Sequence, residues 1–314
     1  MTQPKTEIRS LDEIVREPLQ QFLQKSAFMA QGGIITDLDG TVVHEEQGKI
    51  RIPASVEQAL KELYDLGCPV ILNTLRFPLS VIRTFGREWY SLSTKPIPVV
   101  TLNGSQTGFV TATEDNELIF EEIAAFPLLR EEIEEILVGV QGLLSGGIKE
   151  ILVFAYPRDW RIGEIIWTPV PEKVMTVKEK YVSASAITAV EFDKLREQLL
   201  QEEFCMIFLL IDLPQDKLMA YQHTKRSSFF THKGVDKLSG ARSIAAHLGV
   251  DLTHSLGAGD TEMDNFLNGT GLAVLVGNNE LEFRGQLQTI KLKNSLELGA
   301  LLFQLVEIQR ALKV

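Results

Sequence analysis

The sequence predicts an α/β fold in which a parallel β-sheet is interrupted by an inserted α+β segment. Short apolar runs alternate with amphipathic helical patterns in the first hundred residues and again after residue 227, as in repeated β-α-β units. Between about Ala112 and Ser227 this alternation gives way to an acidic helix and separate strands. The length of 314 residues also favours two domains over one. The sheet is therefore predicted to be assembled from two distant stretches of the chain.

The elements predicted before the insertion alternate between helices and strands. Each strand is a short apolar run, and each helix keeps its apolar side chains on one face. The helical segments that precede the first strand are expected to pack against the core or a partner chain. Gly67 is a typical helix stop, and Asn103 followed by Gly104 predicts a turn after the third strand. In chain order, the prediction gives helices within residues 1–30, a strand at 33–36, a helix around 56–63, a strand at 69–73, a helix at 79–89 and a strand at 98–102.

The insertion and the second half of the sheet are predicted from the same signals. The predicted domains are an N-terminal helical extension at 1–30, a first core part at 31–112, an insertion at 113–227 and a second core part at 228–314. The predicted elements are helices around 128–144 and 192–200 with strands near 151 and 206, then a helix at 237–248, a strand near 255, a further helix, a strand at 272–276 and a terminal helix through 298–308.

Charge and cysteine content narrow the range of functions. The net charge of −11 opposes binding to a nucleic-acid backbone, and no basic stripe reverses that expectation. Cys68 and Cys205 cannot form a metal cluster by spacing, so buried free thiols are predicted. The longest apolar run, residues 206–211, is far shorter than the roughly 18 residues that span a bilayer, and no leader is recognised. We expect a cytoplasmic protein that binds a small molecule and neither nucleic acid nor membrane, with a homodimer left open.

Two aspartates follow the first predicted strand. Asp37 and Asp39 stand at positions i and i+2, which in an extended chain places both carboxylates on the same side. With Gly40 and Thr41 they form a pattern expected by chance in only ~0.3% of chains of this length, which favours a site over coincidence. An Asp–Gly hairpin turn would explain the dipeptide alone, so the interpretation depends on a second motif.

That second motif is an acidic loop at residues 257–264, in which Asp260 and Asp264 lie one helical turn apart. Open α/β folds bind ligands at the carboxyl edge of their parallel strands, where both acidic motifs are expected. Each like-charged pair at about 4 Å costs ~4 kcal/mol at an effective dielectric of roughly 20, so the carboxylates require a cation. Oxygen ligands without His or Cys nearby indicate a hard ion, and phosphate chemistry favours Mg²⁺.

Five segments match one known family in their order along the chain: residues 37–41, 73–76, 102–104, 237 and 259–264. They resemble the motifs of the Cof-type phosphatases of the haloacid dehalogenase superfamily. The resemblance implies a Rossmann-like parallel sheet with a large α/β cap inserted after the third strand, which agrees with the predicted insertion. It also implies a Mg²⁺-dependent hydrolase of phosphate monoesters, which acts through an aspartyl-phosphate on a small metabolite such as a sugar phosphate.

The resemblance assigns roles to the acidic residues. Asp37 matches the nucleophile, and Asp39 matches the general acid and base. The Mg²⁺ ligands of the family match Asp37, the backbone carbonyl of Asp39, and Asp260, and Asp264 matches a residue that supports the metal site.

The phosphate-binding positions of the family match Thr74, Leu75 and Lys237. Lys233 is a rival to Lys237, but only the second lysine fits the family's spacing. Leu75 replaces a customary Gly, and Met263 replaces an Asn. Leu238 likewise follows the lysine where Gly is frequent. Because every ionisable group is kept, activity is expected with altered substrate geometry. The alternatives are a phosphomutase or phosphotransferase, or a catalytically silent protein that binds a sugar phosphate.

Substrate specificity is expected from the insertion. Arg158, Trp160 and Arg161 combine aromatic and cationic groups that suit a polar or anionic leaving group. Arg76 and Asn103 are the candidate substrate residues of the matched motifs. The simpler alternative places Trp160 in the core of the insertion and leaves both of its arginines solvated.

Overall fold

The computed structural model describes residues 11–46, 49–86, 89–90, 95–212 and 225–312 as a mixed α/β structure. The chain divides into two compact units. The first takes in the residues up to Thr74, Glu88–Val100 and the residues from Lys237 onward, and the second takes in Leu75–Arg87 and Thr101–Asp236. The predicted α/β class is confirmed, whereas the predicted domain boundaries at residues 30, 112 and 227 stay a prediction.

The helices and strands are named in chain order. The strands are β1 (Ile34–Thr36), β2 (His44–Glu46), β3 (Lys49–Arg51), β4 (Val70–Asn73), β5 (Ile97–Thr101), β6 (Gln106–Ala112), β7 (Leu118–Ala125), β8 (Ile151–Pro157), β9 (Ile165–Trp167), β10 (Ala186–Thr188), β11 (Phe204–Asp212), β12 (Lys225–Phe230), β13 (Leu256–Gly259), β14 (Leu272–Val276) and β15 (Gln288–Leu292). The α-helices are α1 (Leu11–Lys25), α2 (Phe28–Gln31), α3 (Ala54–Asp65), α4 (Pro78–Val81), α5 (Arg130–Ser145), α6 (Val174–Lys180), α7 (Phe192–Gln201), α8 (Lys237–Leu248) and α9 (Ser295–Leu312). None of these helices combines the length and the apolar character that a bilayer crossing requires.

Six neighbouring strands of the first unit form a parallel sheet in the order β15-β14-β13-β1-β4-β5. Strands β1, β4 and β14 are buried along their whole length, as expected for apolar runs in a parallel sheet. Helix α3 packs against α9. Helix α1 buries Val15, Leu19 and Phe22 and contacts β15 and α9. The N-terminal helices were expected to pack against the core or against a partner chain, and α1 packs against the core.

The second unit has a five-stranded sheet in the order β10-β9-β8-β11-β12, and the hairpin of β6 and β7. Helices α5 and α7 contribute Ile136, Val140, Leu195 and Leu199 to one apolar cluster with Trp167 of the sheet. A second cluster groups apolar side chains of β8, β9 and β11 with helix α6, namely Phe154, Tyr156, Ile166, Val177, Cys205 and Met206.

The helix predicted at residues 79–89 is shorter and less regular than expected. Helix α4 ends at Val81, and Ile82–Gly86 forms a π-helical turn. The Thr84 hydroxyl donates a hydrogen bond to the carbonyl oxygen of Ser80 at 2.6 Å, which competes with the regular backbone pattern. The further helix predicted after the strand near residue 255 is likewise only a 3₁₀ segment, Asn265–Gly269.

Both cysteines are free and buried, and burial raises the pKa of the Cys68 and Cys205 thiols from 9.0 to about 12. We expect the native protein at about pH 8 to react with less than about a tenth of an equivalent of a disulfide reagent, because the thiols stay protonated and shielded. In denaturant both thiols should react. Since the folded pKa is the higher one, the thiols contribute stability that is present below about pH 9 and is lost as the pH rises toward 12. Rapid labelling without denaturant would contradict this burial.

Candidate active site

The carboxyl end of β1 carries Asp37, which is only 4% exposed. Strand β1 pairs in parallel with β13 on one side and with β4 on the other. The Asp37 N–H donates a hydrogen bond to the carbonyl oxygen of Ala258 at 2.9 Å, which continues the pairing with β13. The residues that follow these three strands are therefore neighbours at one edge of the sheet, as the sequence predicts.

The loop after β13 folds around the side chain of Asp264. Its Oδ2 accepts hydrogen bonds from the N–H groups of Asp260 and Thr261, each at 2.9 Å. Gly259 permits this approach, because a Cβ there would lie 2.7 Å from the Asp264 Cβ. The Thr41 hydroxyl donates to Asp260 Oδ1 at 2.9 Å, which joins this loop to the residues after β1.

Asp37, Asp260 and Asp264 form what we call the carboxylate cluster. One oxygen from each residue lies within 4.8 Å of the others. Lys237, the first residue of α8, is only 3% exposed and places its ammonium against this cluster. Its Nζ donates to Asp37 Oδ1 and to Asp264 Oδ1, each at 2.6 Å. The cluster of three carboxylates thus contains one ammonium, which two of the carboxylates bind directly.

In the pKa values, the excess of negative charge adds to a larger effect of burial. Burial raises the pKa of Asp37 to about 8 against the attraction of Lys237, and repulsion from Asp264 and Asp260 adds to the rise. Burial also raises the pKa of Asp260. Burial lowers the pKa of Lys237, but Asp37 and Asp264 outweigh this effect and the net change is upward, so the ammonium is retained. A divalent cation offsets such an excess, and oxygen-only donors suit Mg²⁺. The cluster therefore fits the predicted ion.

The backbone of Lys237 is held in place by a hydrogen bond from Asn73, the last residue of β4. The Asn73 Nδ2 donates a hydrogen bond to the Lys237 carbonyl oxygen at 2.9 Å, and Asn73 is fully buried. Lys233, the rival lysine, is an exposed residue of the second unit, where its N–H donates to Glu132 Oε1 at 2.8 Å. Of the two lysines, the carboxylate cluster is therefore paired with Lys237.

Replacing Asn73 with Ala is expected to reduce the unfolding free energy by about 1–3 kcal/mol, because a buried hydrogen-bonding group loses its partner. Urea unfolding measures this change. Asn279→Ala is the matched control, since the Asn279 amide also donates to a backbone carbonyl, that of Asp260 at 2.8 Å, but from an exposed position. The control is expected to change stability by less than about 0.5 kcal/mol. If both variants changed the unfolding free energy equally, the hydrogen bond from buried Asn73 would stabilise the protein no more than the exposed one from Asn279 does.

Asp39 lies in a different environment from Asp37. The chain turns directly after β1, where the N–H groups of Val42 and Val43 donate to the Leu38 carbonyl oxygen at 3.2 and 2.8 Å. Asp39 is exposed in this turn and pairs through its backbone with Val43 in an isolated bridge. It is not a member of the carboxylate cluster. The expectation that both carboxylates converge assumed an extended chain, and the turn places one inside and the other at the surface.

The predicted phosphate-binding and core substrate residues fall in two places. Thr74 is buried after β4, and its N–H donates to the Val100 carbonyl oxygen at 2.9 Å. Leu75 belongs to the second unit, where it packs with the cluster of Phe154 and Tyr156.

Arg76 and Asn103 also lie in the second unit. The Arg76 guanidinium stands 5.1 Å from the centre of the Phe85 ring. Asn103 has a left-handed backbone with a φ of 56°, and its Oδ1 is buried without a hydrogen-bond partner. A strained backbone of this kind is more common at functional sites than elsewhere.

Arg158, Trp160 and Arg161 line one cavity of about 590 Å³ in the second unit. They are also close together in the sequence, and their role in substrate binding stays a prediction. Arg158 is already paired, with Glu122 at 2.8 Å and Glu203 at 3.1 Å, and the hydrogen bonds that its guanidinium donates to these carboxylates raise its pKa. Arg161 is more exposed and stacks 4.9 Å from the Trp160 ring centre.

Two neighbours of the carboxylate cluster were not predicted, although both stand inside motifs that the sequence marks. Thr41 belongs to the first acidic motif and bonds Asp260. Asn73 directly precedes Thr74 and holds Lys237. Their residue types were visible, but their partners are distant in sequence and could not be read from spacing.

Part of the chain is similar in sequence to known hydrolases. The family model of haloacid dehalogenase-like hydrolases matches residues 34–141. A provisionally named phosphatase of Streptococcus pyogenes serotype M6 is 26% identical over 237 residues, which covers 74% of this chain and 81% of that protein.

Solved structures show the same fold at low identity. A haloacid dehalogenase-like hydrolase from B. subtilis is 17% identical with a TM-score of 0.62, over 87% of this chain and 99% of that one. A sugar phosphatase of subclass IIB is 17% identical with a TM-score of 0.58, over 90% of this chain and 98% of that one. The sequence match of residues 34–141 is therefore to haloacid dehalogenase-like hydrolases, and the solved structures show that the chain shares the fold of such proteins.

Proposed function

We propose that this protein is a Mg²⁺-dependent phosphatase that hydrolyses small phosphate monoesters, with sugar phosphates as its substrate class. The observation that carries the proposal is the buried Lys237 ammonium held between Asp37 and Asp264, with Asp260 completing the carboxylate cluster. A phosphate group needs both a nucleophile and positive charge, and this cluster offers the first together with a fixed ammonium and a fitting site for a divalent ion.

The proposed chemistry begins with Asp37. Its carboxylate oxygen attacks phosphorus, the bond from phosphorus to the ester oxygen breaks, and Asp39 donates a proton to the departing alkoxide. Asp39 then takes a proton from water, whose oxygen attacks the phosphorus of the aspartyl-phosphate. The bond to Asp37 breaks, inorganic phosphate leaves, and both aspartates return to their starting states. The exposed position of Asp39 suits a group that exchanges protons with substrate and water.

Asp37, Asp260 and Asp264, with the backbone carbonyl of Asp39, would hold Mg²⁺, which when bound supplies positive charge for the phosphoryl oxygens. Lys237 contributes a second positive charge from a fixed position, because Asn73 holds its backbone and two carboxylates hold its ammonium. Thr74 and the Leu75 position are proposed to contact the phosphate. The acidic chain thus concentrates positive charge at the one place where an anionic substrate needs it.

The substrate class rests on the second unit and on a relative. One structural neighbour is described as a sugar phosphatase. The cavity with Trp160 and Arg161 offers an aromatic face and an exposed guanidinium, which pairs with Asp159 at 3.8 Å. Arg158 is held by Glu122 and Glu203 and lines the same cavity. We propose that these residues, with Arg76 and Asn103, contact the leaving group.

The experiment that tests this function is phosphate release from a panel of monoesters, with no acceptor alcohol present. We expect turnover of at least one sugar phosphate in Mg²⁺ and a fall to background when a chelator removes the ion. Mg²⁺ at 100 times its dissociation constant should also stabilise the folded protein by about 2.7 kcal/mol. Turnover only with an added acceptor would indicate a phosphotransferase. Binding without any turnover would indicate a silent sugar-phosphate binding protein.

A further inference from the structure

The second unit contains another cavity, of about 200 Å³, which none of the proposed catalytic steps uses. It lies where the start of β8, the helix α6 and the end of β11 approach one another. Its floor is apolar and is formed by Leu152, Val177, Tyr181 and Leu210. Leu152, Tyr181 and Leu210 pack on the apolar cluster that contains Val177, so the floor is part of a fixed core.

The rim of this cavity is basic. Lys149, Lys173 and Lys180 line it, and Glu150 is its one acidic residue. Glu150 forms an ion pair with Lys173, which leaves the charges of Lys149 and Lys180 without a carboxylate among the lining residues. The whole chain carries a net charge of −11. A rim with a local excess of positive charge is therefore opposite in sign to the rest of the molecule, and it favours an anion.

One of these lysines, Lys180, also contacts an aromatic ring of the apolar floor. The Lys180 Nζ stands 5.2 Å from the centre of the Tyr181 ring, so an ammonium and an aromatic face are presented side by side. Thr168 and Thr176 also line the cavity and bring hydroxyl groups to it, of which the Thr168 hydroxyl accepts a hydrogen bond from the Val170 N–H at 3.3 Å. Apolar surface with a few convergent polar groups is the usual composition of a small-molecule site.

We propose that this cavity binds a small organic anion. Its anionic group contacts Lys149 and Lys180, and its apolar part, about the size of one ring, covers Val177, Tyr181 and Leu210. The volume of about 200 Å³ fits a molecule with a single ring. The site is additional to the carboxylate cluster, with which it shares no residue.

The first test separates the two halves of the proposal with matched probes. Benzenesulfonate carries both the ring and the charge, benzenesulfonamide keeps the ring without the charge, and methanesulfonate keeps the charge without the ring. Methyl signals of Val177 and Leu210 report binding by nuclear magnetic resonance. We expect benzenesulfonate to bind with a dissociation constant on the order of millimolar. Each of the other probes should bind at least about tenfold more weakly.

The second test uses lysine variants with a control on the same helix. Lys149→Gln and Lys180→Gln should each weaken benzenesulfonate binding by up to about fivefold, the range of a partly solvated ion pair. Lys178→Gln removes an exposed charge of α6 that does not line the cavity, and should leave binding unchanged. Because all three lysines are exposed, the variants are expected to fold normally.

Binding is measured in the presence of a chelator and again with Asp37→Asn, so that the proposed catalytic site is disabled. Retained binding under both conditions supports a separate site, even if no phosphate ester proves to be a substrate. The proposal is overturned if benzenesulfonate leaves the Val177 and Leu210 signals unmoved. It is also overturned if the three sulfonyl probes bind alike, or if Lys178→Gln weakens binding as much as Lys180→Gln does.

Discussion

Replacing Asp37 with Asn is expected to reduce phosphate release by about 10⁴-fold or more, the scale seen when a nucleophile or its base is removed from an enzyme. The Asn side chain has the same shape but no charged oxygen to attack phosphorus. The variant is expected to stay folded, because Asp37 lies among two other carboxylates and its charge raises the local repulsion. The ratio of kcat to KM in Mg²⁺, together with a urea unfolding curve, measures both effects.

The matched control for this prediction is Asp65→Asn. Asp65 ends helix α3, and its ion pair with Lys95, at 3.5 Å, joins two side chains that are each 49% exposed. This control should leave activity unchanged and stability within about 0.5 kcal/mol of the parent. If Asp37→Asn kept more than about a tenth of the activity, covalent catalysis by this residue would be ruled out.

Replacing Lys237 with Met is expected to lower the unfolding free energy by about 3–5 kcal/mol, the largest stability change that we predict. The ammonium is almost fully buried and bonds two carboxylates at 2.6 Å. Without it, Asp37 and Asp264 face each other in a buried site with no cation between them. Urea unfolding in chelator measures the change, and added Mg²⁺ should restore part of the loss because it supplies the missing positive charge.

Lys233→Met serves as the control for Lys237, because it removes the same charge from an exposed residue four positions earlier. Its expected effect on stability is within about 0.5 kcal/mol. The same pair of variants decides between the two lysines in activity, since only the change at Lys237 should abolish phosphate release. An activity loss confined to Lys233→Met would overturn the assignment.

The elements predicted best are those whose signal is local. Helix α8 and strand β14 begin and end at the predicted residues, because Gly249 stops the helix and the strand is an unbroken apolar run. Strands β9, β10 and β15 were not predicted as such. They have three, three and five residues, and their pairing partners lie elsewhere in the chain, so that periodicity alone carries little information about them.

The carboxylate cluster was predictable because two rules act together. Residues after parallel strands share an edge, and like charges that gather there need a cation. The fine geometry was not predictable. The turn that exposes Asp39 depends on hydrogen bonds to the Leu38 carbonyl, and the hydrogen bond from Asn73 to Lys237 joins residues 164 positions apart. No pattern of spacing within a single motif contains such information.

The ion pair between Asp37 and Lys237 joins residues 200 positions apart, and this separation has a consequence for protein synthesis. At about 5–20 residues per second, a ribosome needs roughly 10–40 seconds to pass from the first residue of the pair to the second. During that interval β1 has been made while β13, its sheet neighbour, has not, whereas the whole second unit emerges before Lys237 does. The residues of the second unit are therefore all available early, but a nascent chain cannot assemble the carboxylate cluster until Asp264 has been translated.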